Sequence, residues 1–148
     1  MLLICPGIHP PELTESFLDG VLENWKNQQQ LGELLIFPTQ DYSAYSSLDI
    51  LNFIDKNNPK SAIMIIAFSA GVVGAIGAAL AWQQLRGEIQ GLIAIDGWGV
   101  PLIGNFPIYR ISHDYFTHWS SALLGGGIES FYADPAFLRC IFGAAPAV

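Results

Sequence analysis

Charge is scarce in this chain, and positive charge is scarcest. Charged residues make up 13% of its 148 residues, with Lys plus Arg 6 against Asp plus Glu 13, a formal net charge of −7. Without a basic stripe there is little to neutralise a phosphate backbone, so no nucleic acid is expected as a partner. Cysteine is rare as well. Cys5 and Cys140 show neither metal-ligand spacing nor a disulfide framework, which points to a reducing compartment and a cytoplasmic protein. Histidine is nearly as rare, and no carboxylate–histidine metal motif accompanies it. His113 and His118 stand five apart, off a common helix face, so no metal is expected. A basic leader is missing too: Met1-Leu2-Leu3-Ile4-Cys5 breaks at Pro6-Gly7, unlike a secretory signal. Gly71, Gly74 and Gly77 do not form the G-x-G-x-x-G pattern and begin inside a helical stretch. No nucleotide or other cofactor is therefore expected. Nothing repeats, and no segment is of low complexity.

What is present is apolar. Hydrophobic residues reach 51%, enough in a chain of this length for a single domain over residues 1–148 with a real core. Residues 61–85 carry no charge, a run long enough to cross a hydrocarbon layer of about 30 Å. Its glycines would also suit helix packing in lipid. The run changes character at Ser69, however, from Ile-rich to Ala- and Gly-rich. A strand and then a helix, each buried on both sides of an α/β core, account for that change, and a membrane span is not expected.

Strand and helix signals alternate through the first two thirds of the chain. An apolar strand at Leu2–Cys5 ends in Pro6-Gly7, and Pro10 and Pro11 open a helix. There Leu13, Phe17, Leu18, Val21, Leu22 and Trp25 recur at helical spacing, while Glu12, Glu15, Asp19 and Glu23 face water. Residues 34–37 read as a second strand, and Ser46 with Asp49 caps a helix reaching about Asn57. Residues 62–68 form a third strand. The helix after it carries Gly71, Gly74, Ala75 and Ala78 on one side, small enough to let it lie close to the sheet. Residues 91–95 form a fourth strand. This order predicts an α/β fold: a three-layer αβα sandwich with an open, mainly parallel sheet and right-handed crossovers. The regular βαβ core spans residues 1–97, and an irregular part spans 98–148. Residues 108–111 read as one more strand, but about ten residues separate them from Asp96. That is short for a parallel crossover, so an antiparallel edge or an irregular segment is equally well supported.

In open parallel sheets, ligands bind beyond the carboxyl ends of the strands. Those ends read Pro6-Gly7-Ile8-His9, Pro38-Thr39-Gln40-Asp41, Ser69 and Asp96-Gly97-Trp98. The run Ile63-Met64-Ile65-Ile66-Ala67-Phe68-Ser69-Ala70-Gly71 is the sharpest of these signals. A β-branched strand stops at one serine set between small residues, and a helix follows at once. That order can hold a hydroxyl at the tip of a tight strand-to-helix turn. It resembles the nucleophile elbow of α/β-hydrolases, G-x-S-x-G, with Ala67 in the first glycine position. The plainer account is that Gly71 permits the turn and Ser69 caps the helix.

Residues 2–97 resemble the central part of a small α/β-hydrolase. The segments Phe68-Ser69-Ala70-Gly71-Val72-Val73-Gly74 and Asp96-Gly97-Trp98-Gly99-Val100-Pro101 are similar to those of uncharacterised hydrolase-like proteins. The resemblance implies a serine hydrolase acting on an ester or thioester of a small acyl substrate. Ser69 would attack the acyl carbon, and the N–H groups of Ala70 and Ile8 would hold the oxyanion. Asp96 would be the acid, although Asp114 suits relatives that place it one strand later, and Asp96-Gly97 is also a good turn pair. His118 or His113 would be the base, since hydrolase triads run in the order Ser, acid, His. His9 lies upstream and breaks that order, though it stands near the same edge. Trp98, Tyr115, Phe116 and Trp119 would surround the edge with aromatic surface or serve in packing. The alternative is a non-catalytic or degenerate module binding a small ligand or protein partner at the same edge. No clear final strand and helix follows, and residues 137–148 are apolar, unlike a finishing amphipathic helix. This leads to the expectation that the chain is incomplete at its C-terminus or its site degenerate.

Overall fold

A strand covered on both faces needs apolar side chains on both, and the unbroken Ile, Leu and Ala runs of this chain supply them. The computed structural model describes residues 1–26, 33–85, 87–97, 99–112 and 129–132. Among these, one sheet is built from β1 (Leu2–Cys5), β2 (Leu34–Ile36), β3 (Ile63–Phe68), β4 (Ile89–Ile95), β5 (Ile108–Ser112) and β6 (Glu129–Tyr132). The order is β2-β1-β3-β4-β5-β6, and every neighbouring pair is parallel. Three helices, α1 (Pro11–Lys26), α2 (Ser47–Asn57) and α3 (Ala70–Leu85), join the first four strands.

Alternate strand residues point to opposite faces, and two cores result. On one face Leu3, Cys5, Ile65, Ala67 and Leu92 pack with Ile50 and Ile54 of α2 and with Val72, Ala75 and Ala79 of α3. On the other, Leu2, Ile4, Ile66, Phe68 and Ile95 pack with Phe17 and Leu18 of α1. Each fully buried Ile, Leu or Phe contributes about 1.5–3 kcal/mol. The expected α/β layering therefore stands, with helices on both faces of a parallel sheet. The apolar run 61–85 is divided between β3 and α3. Among the described residues, no helix is long and apolar enough to cross a membrane.

Four details differ from the sequence reading. The segment at 108–111 is β5, parallel to β4, although no helix covers the described part of the connection. Its described residues pack as coil instead: Val100, Leu102 and Phe106 enter the core. Arg110, 2% exposed, donates to the carbonyls of Val100 (2.9 Å) and Gly97 (3.5 Å). A sixth strand, Glu129–Tyr132, lies where no clear final strand was expected. It is short and mixed in polarity, so no apolar run announces it. In α1, Leu13 is 43% exposed while Thr14 is 7% exposed, so the buried stripe includes Thr14 in place of Leu13. Finally, Gly74 admits α2 and its leading loop, not the sheet, and Gly77 likewise faces α2. A Cβ on Gly74 would meet Ala44 O at 2.6 Å, and one on Gly77 would meet the Ser47 side chain.

Candidate functional site

The chain leaves β1 toward α1 on one face and leaves β3 toward α3 on the other, although these strands are neighbours. Loops that part in opposite directions leave a crevice at the carboxyl ends, the topological switch point of an open parallel sheet. Pro6-Gly7-Ile8-His9 and Ser69 lie on its two sides.

Ser69 is exposed and has φ +46. In that left-handed region a β-carbon is crowded by the backbone, at a cost of about 1–3 kcal/mol. A capping serine has extended backbone instead, as Ser46 does at φ −82 and ψ 102, its Oγ accepting from Asp49 N. Ser69 thus lacks the backbone of a helix cap. Its N–H donates to Ile95 O (2.8 Å) and its carbonyl accepts from Val72 N (3.1 Å), so the turn is tied to β4 and to its own helix. Gly71 makes the turn possible, because a Cβ there would collide with the carbonyls of Cys5 and Pro6.

The β1 loop presses on this turn. An ideal Cβ at Gly7 would stand 2.9 Å from Phe68 O, 3.0 Å from Ser69 Cβ and 3.1 Å from His9 Nδ1. Serine and imidazole therefore share the space that a Gly7 side chain would fill. His9 Nε2 is 2.8 Å from Thr14 Oγ1, and the ring stands edge-on to Phe68 with centroids 6.2 Å apart. Burial lowers the His9 pKa below the ordinary 6.5, because the charged imidazolium loses hydration there. The neutral ring therefore dominates at pH 7.

The two expected oxyanion donors border the crevice. Ala70 opens α3, so its N–H is among those a helix start leaves without an intrahelical acceptor. Ile8 is 77% exposed, and among the described residues its N–H donates to no backbone carbonyl. Asp96 follows β4 at φ +54, with its N–H on Ile111 O at 2.9 Å. Gly97 lies against Val72, where a Cβ would meet the side chain at 2.7 Å. The ends of β1, β3 and β4 thus converge on the first turn of α3. His113, His118, Asp114, Trp98, Tyr115, Phe116 and Trp119 lie outside the described residues.

Beside the crevice, a groove of about 460 Å³ opens between the β1 loop and residues 39–45, with Ile8, His9, Gln40, Asp41, Tyr42 and Tyr45 on its walls. That volume falls within the range of small-molecule sites, about 300–1,000 Å³. Sequence reasoning noticed the polar residues that end β2 but missed Tyr42, Tyr45 and Thr14. Thr14 could have been found as the hydroxyl one turn into the helix after His9. Among the described residues, no group of three His, Cys, Asp or Glu side chains could hold a metal ion. Cys5 is buried and its thiol pKa is pushed far up, which makes it inert as a nucleophile. Compared with known protein families and with curated proteins, the chain matches none.

Proposed function

We propose that this chain is a serine hydrolase of the α/β-hydrolase type, acting on an ester or thioester of a small acyl substrate. The observation that carries the reading is the exposed Ser69 at φ +46 between β3 and α3. A non-glycine residue keeps such a conformation where its surroundings over-determine it, and functional sites are where these residues cluster. Ser69 Oγ attacks the acyl carbon and gives its proton to an imidazole. The oxyanion is held by the N–H groups of Ala70 and Ile8. The alcohol or thiol leaves with the proton, and water then releases the acid. In the sequence-based assignment, Asp96 orients the imidazole and His118 or His113 supplies it. The groove beside His9 is the natural seat for the acyl or leaving group. A fluorophosphonate probe tests the reading: it should label the folded full chain and leave Ser69→Ala unlabelled. A folded wild-type protein that resists the probe would count decisively against it.

A second reading, a non-catalytic module that binds a small ligand, draws on one observation. The outer nitrogen of His9 meets a hydroxyl and not a carboxylate, which stabilises an imidazolium less than a triad acid does. On this reading no ester substrate is turned over, although the groove still binds ligands.

A further inference from the structure

We propose that His9, and not a histidine downstream of Ser69, is the base that takes the serine proton. The assignment deepens the reading above and rests on Ser69 being the nucleophile.

Strand pairing makes this possible. β1 and β3 are parallel neighbours with Cys5 opposite Ala67, so the residues just beyond each strand emerge at the same level of the sheet. His9 follows Cys5 by one short loop, and Ser69 follows Ala67 after the single residue Phe68. Gly7 then leaves the space between them open, since Ser69 Cβ and His9 Nδ1 both lie within 3.1 Å of the point its Cβ would occupy. Ser69 Cβ and His9 Nδ1 are therefore no more than about 6 Å apart, within reach of a proton relay through one water.

The ring is also held in the useful orientation. Nε2 is anchored at 2.8 Å to Oγ1 of Thr14, a buried residue of α1. In the tautomer whose Nε2–H donates to Thr14 Oγ1, Nδ1 carries the lone pair, and Nδ1 is the nitrogen on the Gly7 side. The edge-on contact with Phe68, the residue before the serine, fixes the ring plane. Desolvation keeps the ring neutral near pH 7, as a base must be.

The step balances without a co-reactant. The Ser69 proton moves to Nδ1 as Oγ bonds to the acyl carbon. Collapse of the oxyanion breaks the bond to the leaving oxygen or sulfur, which takes the proton from Nδ1. Water repeats the sequence on the acyl-enzyme. Thr14 acts as a positioning residue. A hydroxyl in place of a carboxylate makes this a slower catalyst than a full triad.

The test is the rate at which a fluorophosphonate labels the full chain. His9→Gln should slow labelling of Ser69 by about 100-fold or more. In His9→Ala, added imidazole should restore labelling, which a merely structural histidine would not allow. Thr14→Ser should keep most of the rate that Thr14→Ala loses. Nitrogen NMR of the wild-type protein should find His9 protonated on Nε2, a measurement that needs no folded variant. Labelling of His9→Gln at the wild-type rate, or a wild-type ring protonated on Nδ1, overturns the assignment. If His113→Gln or His118→Gln abolishes labelling while His9→Gln does not, the base lies downstream and Ser69 remains the nucleophile. If the folded wild-type chain is never labelled, the nucleophile falls and His9 falls with it.

Discussion

A serine at φ +46 is crowded against its own backbone, whereas glycine in the same place is not. Ser69→Gly should therefore keep or raise stability, by about 1 kcal/mol relative to Ser69→Ala, while both variants lose labelling. Urea unfolding compares them, and a Ser69→Gly variant less stable than Ser69→Ala would contradict the strain. His9 yields a second prediction at this scale. Its folded pKa lies below the unfolded 6.5 because of burial, so the unfolded chain binds more protons between the two values. Stability contributed by the neutral ring is complete above pH 6.5 and is lost as pH falls through the window beneath it, levelling off below the folded value. His9→Gln should flatten that part of the stability profile. A stability that increased on acidification through the same window in the wild type alone would reverse the sign.

Among the elements, α2 and α3 show why some local signals were easy to read and others were not. Ser46 was identified as a cap because a hydroxyl three residues before Asp49 satisfies a helix amide, a relation confined to neighbours in sequence. The glycines of α3 were recognised as small, but what each admits depends on elements distant in the chain: the end of β1 for Gly71, and α2 with its approach for Gly74 and Gly77. The two kinds of residue should respond differently. Ser46→Ala should cost about 1 kcal/mol and leave Ser69 labelling nearly intact. Gly71→Ala places a methyl against two backbone carbonyls that cannot move away, and should cost about 3 kcal/mol. It should slow labelling as well, because the strand-to-helix turn must open to make room. Equal losses in the two variants would mean that the close approach at Gly71 does not shape the turn.

The molecule as a whole is a parallel sheet whose middle is sealed from both sides. Leu3, Ile4, Ile65 and Leu92 are 0% exposed, in strands that have paired neighbours on both sides. The β2 edge is thinner, and Ile36 there is 41% exposed. Amide hydrogen exchange should therefore be slowest in β1, β3 and β4 and faster in β2, since local opening costs least where few apolar contacts break. Uniform protection across the sheet would contradict this gradient. The crevice owes its position to the same architecture. Reversal of winding between β1 and β3 separates two loops, and no residue has to be inserted to make the opening.

Residue pattern alone determined the strands and helices through residue 97, the parallel sheet they form, and the break at Ser69 that turns a membrane-length run into β3 and α3. These are consequences of apolar periodicity and of local turn and capping chemistry, which act over a few residues. Tertiary structure alone decided that β5 could be parallel behind a coil. A buried Arg110 and three apolar loop residues do there what a crossover helix normally does. It also decided which nitrogen of His9 lies on the Gly7 side, because Gly7, Thr14 and Phe68 meet around that ring only after the strands have paired. Contacts between residues far apart in the chain leave no periodic trace, and it is such contacts that arrange this edge of the sheet.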